Sequence, residues 1–337
     1  NISDAAWQLR DLSLSGHLKV TSNDGASVLE RVTAESMDFA SNDGATIFEN
    51  LHLKERSKIV KKDGQLKIII FLGIVEGITE WLPVSSTGHM LLVDAFIHTN
   101  MTQAFKDMFF VVIQLGAIIA VIVEFWSQMN PFVNVEGKGV RIKRSVFNMW
   151  VKVVVAFLPS AVFGLFLNDF LEENFGTPLT IAIMLIVYGI AFIVIERWNK
   201  TRVPKINTMK EITYQTALII GMFQVLSMIP GTSRSGATIV GALLIGVSRV
   251  VAAEFTFFLA VPTMLGASAF KLLKFGLHFS LSEVIALIVG MVVAYVVSIF
   301  VIKFLMSYIK RRDFQIFGWY RIALGIIVIL FILVGVI

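Results

Sequence analysis

Glu76 and Glu80 stand four residues apart, hence on one face of a helix, inside a run that is otherwise apolar. A carboxylate at the centre of a bilayer costs about 2.5–3.5 kcal/mol even on insertion scales, so a pair there calls for cations or hydrogen-bond donors beside it. Two carboxylates on one face could hold a hard divalent ion, which prefers oxygen ligands. They could also be neutralised by Arg234 or snorkel from a helix end. Just downstream, Pro83-Val84-Ser85-Ser86-Thr87-Gly88-His89 puts a helix stop, three hydroxyls, a glycine and an imidazole at the mouth of a new helix. Backbone N–H groups and the positive dipole end at such a mouth favour an anion, hydroxyls donate to phosphate oxygens, and His89 can move a proton near neutral pH. Small hydroxyl residues in membrane helices are also common packing contacts.

The second cluster, Pro230-Gly231-Thr232-Ser233-Arg234-Ser235-Gly236-Ala237-Thr238, is more specific. It sets a guanidinium between hydroxyls at a helix start in an apolar region, and the planar donor fork of arginine matches phosphate bidentately. Arg234 can also serve as counter-ion to Glu76 or Glu80, exchanging one partner for another when ligand binds. The two clusters are copies of one pattern: Gly73-Ile74-Val75-Glu76 through Gly88 aligns with Gly221-Met222-Phe223-Gln224 through Gly236 across a one-residue gap, making Ser86 and Arg234 equivalent. If the copies have opposite topology, their broken helices face one another near the midplane. Lesser polar residues have plainer readings. Gln114 and Gln224 are expected to make interhelical hydrogen bonds, Glu254 to pair with Arg249, and Lys152, Lys271, Lys274 and Lys303 to snorkel.

These residues need a membrane scaffold. Of 337 residues, 56% are hydrophobic and 16% charged, and the mean hydropathy is +0.78, which no ordinary soluble domain matches. Helices are expected over 66–82, 86–98, 105–126, 146–167, 178–196, 212–229, 235–247, 251–272, 283–306 and 317–336. The segments 86–98 and 235–247 are too short to span and follow a proline and small polar residues, as re-entrant helices do. The fold class is thus an all-α polytopic membrane protein with inverted-topology repeats, occupying residues 63–337. Basic residues at 138–144 (Lys138, Arg141, Lys143, Arg144), at 197–210 (Arg197, Lys200, Arg202, Lys205, Lys210) and at 310–312 mark three cytoplasmic loops. An acidic loop at Asp169, Glu172 and Glu173 then faces out. Counting back places Gln65 outside.

Residues 1–62 are of another kind. Ser22-Asn23-Asp24-Gly25-Ala26-Ser27 returns 19 residues later as Ser41-Asn42-Asp43-Gly44-Ala45-Thr46, with turn chemistry in each copy and Val28, Val32, Met37 and Phe39 between them. Two coils of a solenoid-like β-repeat are expected, similar to adhesin-type repeats, as a fragment or fusion, followed by a basic linker of Lys54, Arg56, Lys58, Lys61 and Lys62. The first residues show neither a basic n-region nor an apolar h-region, so no signal peptide is expected among them. The lack of cysteine excludes disulfides and thiolate chemistry. A net charge of +5 scattered over loops gives nucleic acid no basic face.

Three stretches together carry a resemblance: Glu76 to His89, Pro230 to Thr238, and Gly246-Val247-Ser248-Arg249 with Ala253-Glu254-Phe255. On these, residues from about 66 to 337 resemble the undecaprenyl-diphosphate phosphatase family, also called BacA-type or bacitracin-resistance proteins. The resemblance implies hydrolysis of a polyprenyl diphosphate to the monophosphate at the outer face of the bacterial cytoplasmic membrane, recycling the carrier for cell-wall synthesis. It also implies a divalent ion, Mg2+ or Ca2+, at Glu76 and Glu80, phosphate contacts from Ser85, Ser86, Thr87, Ser233, Arg234, Ser235 and Thr238, and a homodimer. Ser86 is the expected nucleophile, with Glu80 or His89 taking its proton and Arg234 offsetting charge; a water nucleophile stays open. Two rivals stand beside this expectation. A lipid flippase or secondary transporter would use the same inverted repeat. A membrane anchor displaying residues 1–62 would leave Glu76, Glu80 and Arg234 without purpose.

Overall fold

The computed structural model describes residues 58–97, 101–135, 139–276 and 278–337 and, before these, strand segments between Ile2 and Leu53; within these stretches side chains are described from Gln65 onward, except Val135, Asn168, Asp169 and Glu172. The chain divides into two compact units, Asn1–Ile70 and Phe71–Ile337.

The first unit is built of short parallel strands: β1 (Ile2–Ser3), β2 (Trp7–Arg10), β3 (His17–Asn23), β4 (Ser27–Glu30), β5 (Thr33–Ala34), β6 (Ser36–Ser41), β7 (Thr46–Glu49), β8 (His52–Leu53) and β9 (Lys58–Lys61). They stack in the orders β1-β3-β6-β9, β2-β4-β7 and β5-β8. Ser22 lies opposite Ser41 and Ser27 opposite Thr46, so the repeat of the sequence is one coil of a solenoid. The pairing also reaches coils whose sequences have diverged, with Ile2 opposite Ser22 and Asp38 opposite Lys58. The expected turns at 24–26 and 42–45 lie outside the described residues. One expectation is corrected: Lys58 and Lys61 belong to strand β9 rather than to a linker, and Lys62 already opens a helix.

The second unit is helical. After α1 (Lys62–Thr79), which crosses the boundary, come α2 (Ser86–Phe96), α3 (Gln103–Val112), α4 (Gln114–Glu124), α5 (Trp126–Met129), the antiparallel hairpin β10 (Phe132–Val135) and β11 (Gly139–Ile142), α6 (Arg144–Phe175), α7 (Pro178–Asn199), a 3-10 turn at Met209–Glu211, α8 (Tyr214–Leu226), α9 (Arg234–Leu244), α10 (Arg249–Phe275), α11 (Leu281–Ile309) and α12 (Gln315–Leu333). Among the described residues six helical stretches are long and apolar enough to cross a membrane, the pair α3–α4 counting as one. Helices α2 and α9 have 11 residues each. At about 1.5 Å per residue they reach roughly half of a ~30 Å hydrocarbon core, so each turns back with its predecessor as a re-entrant hairpin. Following six crossings through these two hairpins puts the loops at 130–143, 200–213 and 310–314 on one face. It also brings α1–α2 and α8–α9 in from opposite faces. Large apolar side chains such as Phe166, Phe300 and Leu333 stand exposed around the bundle, where hydrocarbon is their solvent.

Two helices differ from expectation. The stretch expected over 105–126 breaks at Ile113, where Gly116 N–H donates to Ile113 O at 3.0 Å. The stretch expected to end at 167 runs to Phe175, so the acidic loop of Asp169, Glu172 and Glu173 is the last part of α6. Nothing from Asn168 to Phe175 breaks a helix, and Gly176 is the first residue that does. The basic loop at 138–144 likewise contains strand β11 and the start of α6.

Candidate active site

Both re-entrant helices begin with the same unusual backbone. Ser85 and Ser233, their N-caps, have φ of 74° and 70°, and among the described residues no other non-glycine has positive φ. Each hydroxyl accepts from the amide three residues on, Gly88 at 3.4 Å and Gly236 at 3.2 Å. Left-handed backbone at a serine costs on the order of 1–3 kcal/mol and persists where its surroundings enforce it, often at sites of function. It falls directly before Ser86 and Arg234, the first helical residues, of which Ser86 faces its own hairpin and Arg234 the opposite one.

They meet at Glu80. Arg234 Nη2 lies 2.7 Å from Glu80 Oε1, and Ser86 Oγ donates to Glu80 Oε2 at 3.0 Å. Ser235 Oγ adds a longer bond to the Glu80 carbonyl at 3.4 Å. Glu76 lies against Glu80, one helical turn away, with Gln114 beside it. Four buried polar atoms around this junction have no hydrogen-bond partner among the described residues: Glu76 Oε1, Trp81 Nε1, Thr232 Oγ1 and Arg234 Nη1. Native interiors rarely leave such groups unpaired, and at a binding site their partners come with the ligand. An acceptor on Glu76 and a donor on Arg234 suit a cation and an anion respectively.

A cavity of about 510 Å3 opens at this point. Its lining includes Glu80, Ser86, Thr87, Ser233 and Arg234, and from α6 and α10 the apolar Phe157, Leu165, Met264 and Phe270 beside the polar Ser160, Thr263 and Lys271. Such a cavity is shaped for a molecule with one polar and one hydrocarbon part.

Other expected residues lie apart from it. Thr238 is fully buried, donating to Arg234 O at 3.0 Å and accepting from Thr256 Oγ1 at 2.9 Å, because its face of α9 packs on α10. Without ligand the Ser85, Ser233, Ser235 and Thr238 hydroxyls are thus engaged within the protein, Ser85 and Ser233 as caps, Ser235 on the Glu80 backbone and Thr238 between α9 and α10. The His89 ring is engaged on α12: Nδ1 sits 2.7 Å from the Ser85 carbonyl and Nε2 2.7 Å from Tyr320 Oη, with the two rings stacked at 5.6 Å. Of the two candidates for handling the Ser86 proton, only Glu80 touches that hydroxyl.

Arg321 is the residue that the sequence reading missed. Its side chain on α12 is 0% exposed, and it donates to the carbonyls of Pro83 (3.2 Å), Leu185 (3.4 Å), Met184 (3.4 Å), Gly231 (2.9 Å) and Thr232 (2.8 Å). One guanidinium thus ties the loop of the first hairpin to the loop of the second. Close helix packing makes this reach possible: a Cβ at Gly189 would meet Gly318 O at 2.7 Å, and one at Gly318 would meet Gly189 O at 2.7 Å. The signal was available, since a charge inside the apolar stretch 317–336 carries the same penalty that singled out Glu76.

The remaining polar expectations divide. Gln224 does bond between helices, donating to Ser160 Oγ at 2.6 Å and Thr263 Oγ1 at 3.1 Å. Arg249 pairs with the fully buried Glu196 of α7 rather than with Glu254, which sits five residues along α10 and so on another face. Lys303 lies 3.4 Å from Glu124, and Lys271 lines the cavity.

Spanning helices with two re-entrant hairpins that meet at a cavity lined by both charged and apolar side chains define an integral membrane protein with its candidate site among the helices. The chain belongs to the family described as bacitracin resistance protein BacA, which matches residues 69–327. It is 65% identical to an undecaprenyl-diphosphatase of Enterococcus faecalis over 262 residues, covering 78% of this chain and 95% of the relative. It is 59% identical to an undecaprenyl-diphosphatase of Desulfitobacterium hafniense, covering 78% and 94%, and 57% identical to one of Acetivibrio thermocellus, covering 78% and 96%.

Proposed function

We propose that the protein hydrolyses undecaprenyl diphosphate to the monophosphate and inorganic phosphate, recycling the carrier lipid for peptidoglycan synthesis and conferring bacitracin resistance. One observation carries the proposal: Glu80 holds Ser86 from its own hairpin and Arg234 from the opposite one on its two carboxylate oxygens. That is a nucleophile, a base and an anion-binding fork in contact, which suits phosphoryl transfer rather than the flippase or transporter alternative. Ser86 Oγ attacks the terminal phosphorus, its proton passes to Glu80 Oε2, and the bond to the bridging oxygen breaks with the monophosphate leaving. Water then cleaves the phosphoserine. Arg234, released from Glu80 and with Nη1 free to donate, takes the phosphoryl oxygens. The prenyl chain lies along the apolar Phe157, Leu165, Met264 and Phe270.

Glu76 and Glu80 would hold a divalent ion, Mg2+ or Ca2+, supported by their hard oxygen donors and by the unpartnered Glu76 Oε1. Bound there, it would supply positive charge beside the diphosphate. The three basic loops on one face support an orientation in the bacterial cytoplasmic membrane with those loops inside and the cavity opening outward. The family resemblance extends the proposal to a homodimer, and residues 1–62 have no part in the chemistry.

The test is phosphate release from undecaprenyl diphosphate by purified protein. Ser86→Ala and Arg234→Ala should each lose at least a hundredfold, and near-normal rates in both would remove the site assignment.

A further inference from the structure

Stretches far apart in the chain close around a second cavity, of about 1180 Å3, on the face that carries the basic loops. Lys200, Arg202 and Lys205 come from the loop after α7, Arg249 opens α10, and Lys310, Arg311 and Arg312 end α11. Against these seven cations the wall holds two carboxylates, Glu196 and Asp313, and both are occupied. Glu196 accepts from Arg249 Nε at 2.9 Å and from Phe314 N–H at 3.0 Å. Asp313 accepts from the backbone N–H of Gln315 at 3.2 Å and from its side-chain amide at 2.7 Å. Glu254 faces Lys310 from α10. Among the described residues Arg249 alone of the seven is within ion-pair distance of a carboxylate.

Cations on one membrane face follow from topology. Their convergence on one cavity does not, since Arg141, Lys143 and Arg144 obey the same topology yet take no part in its wall. The cost of this convergence is repulsion among like charges, which a polyanion would relieve. The Ser248 hydroxyl makes no capping bond at the start of α10, which leaves the first amides of that helix without a side-chain acceptor at the same wall. Exposed apolar side chains, Val203 and Leu244, are part of the cavity lining.

We propose that this cavity binds a phosphate group, that of an anionic lipid headgroup in the leaflet the basic loops face, at a site separate from the cavity of Ser86 and Arg234. Arginines clasp phosphate oxygens bidentately and lysines add point charge, as basic pockets between membrane helices do for phosphorylated headgroups. Val203 and Leu244 give a lipid the advantage over free phosphate of the same chemistry.

Native mass spectrometry of the full chain in detergent, titrated with phosphatidylglycerol or phosphatidylcholine, tests this alongside calorimetric titration with inorganic phosphate. The comparison is between the unaltered protein and Lys205→Gln/Arg311→Gln/Arg312→Gln, with phosphatase activity as the fold control. Retention of phosphatidylglycerol should fall at least fivefold in the variant while phosphatidylcholine retention stays level. A difference confined to inorganic phosphate would keep the site and assign it to soluble phosphate. If the triple variant does not fold, Arg311→Gln and Lys205→Gln singly should each lower phosphatidylglycerol retention about twofold. Equal binding of phosphatidylglycerol, and equal binding of inorganic phosphate, by the unaltered protein and the folded variants overturns the proposal.

Discussion

At the level of single residues, a few side chains do several jobs each. Glu80 neutralises Arg234, orients Ser86 and is placed to take its proton. Glu80→Gln keeps the shape but loses both charge and basicity, so phosphate release should fall by two to three orders of magnitude, and unfolding in detergent should show a lowered Tm as Arg234 loses its counter-ion. Arg321 works through position, not contact with substrate. Arg321→Lys keeps a charge yet cannot span carbonyls on both hairpins, and hydrogen bonds to charged groups contribute about 1.5–3 kcal/mol each. We expect a marked drop in Tm and a fall in kcat, with substrate KM much less affected. An unchanged Tm would show that the two loops hold together without it. Motif chemistry made Glu76, Glu80, Ser86 and Arg234 legible from sequence, because a buried charge or a helix-start hydroxyl advertises its cost. Thr238 and Ser235 were not separable from Arg234, because which face of α9 meets α10 is a tertiary fact. Arg321 carried the same signal of a charge in an apolar span, but without a proline, glycine and hydroxyl cluster around it to mark a site.

At the scale of elements, the two hairpins are the device that puts polar backbone inside a membrane. Their equivalence was readable, since the aligned Pro-to-Gly stretches predict broken helices, and the matching positive φ at Ser85 and Ser233 reproduces that alignment in three dimensions. Helix ends were less readable. The extension of α6 to Phe175 reflects residues with adequate helix propensity whose acidity looked like a loop, and the break at Ile113 has no proline or glycine at the break itself to announce it. Gly231 shows what the hairpin demands: φ is +91° and an added Cβ would lie 2.6 Å from Ile181 O. Gly231→Ala should cost at least the ~1–2 kcal/mol of left-handed backbone plus the clash, lowering both Tm and phosphate release. An alanine variant with the original Tm would mean that the loop is not held as described.

At the scale of the whole molecule, the solenoid-like unit and the helical unit answer to different physics, parallel ladder pairing in one and lipid-exposed packing in the other. Removing residues 1–62 should therefore leave the phosphatase rate within about twofold, provided the product stays folded by size exclusion. The orientation has its own test, made clean by the lack of cysteine. In intact spheroplasts an impermeant maleimide should label Thr177→Cys but not Arg311→Cys, and the reverse pattern would invert the protein. Composition and charge made the membrane class and the basic face readable, whereas the convergence of cations on a second cavity depends on folding of three loops.

Joint action of Ser86 and Arg234 on one diphosphate can be read from a double-mutant cycle on kcat/KM for undecaprenyl diphosphate. If they act as a unit, Ser86→Ala and Arg234→Ala each lose roughly 10²–10³-fold and the double variant is little worse than the weaker single. Losses that simply multiply, or a single variant near the original rate, would contradict it.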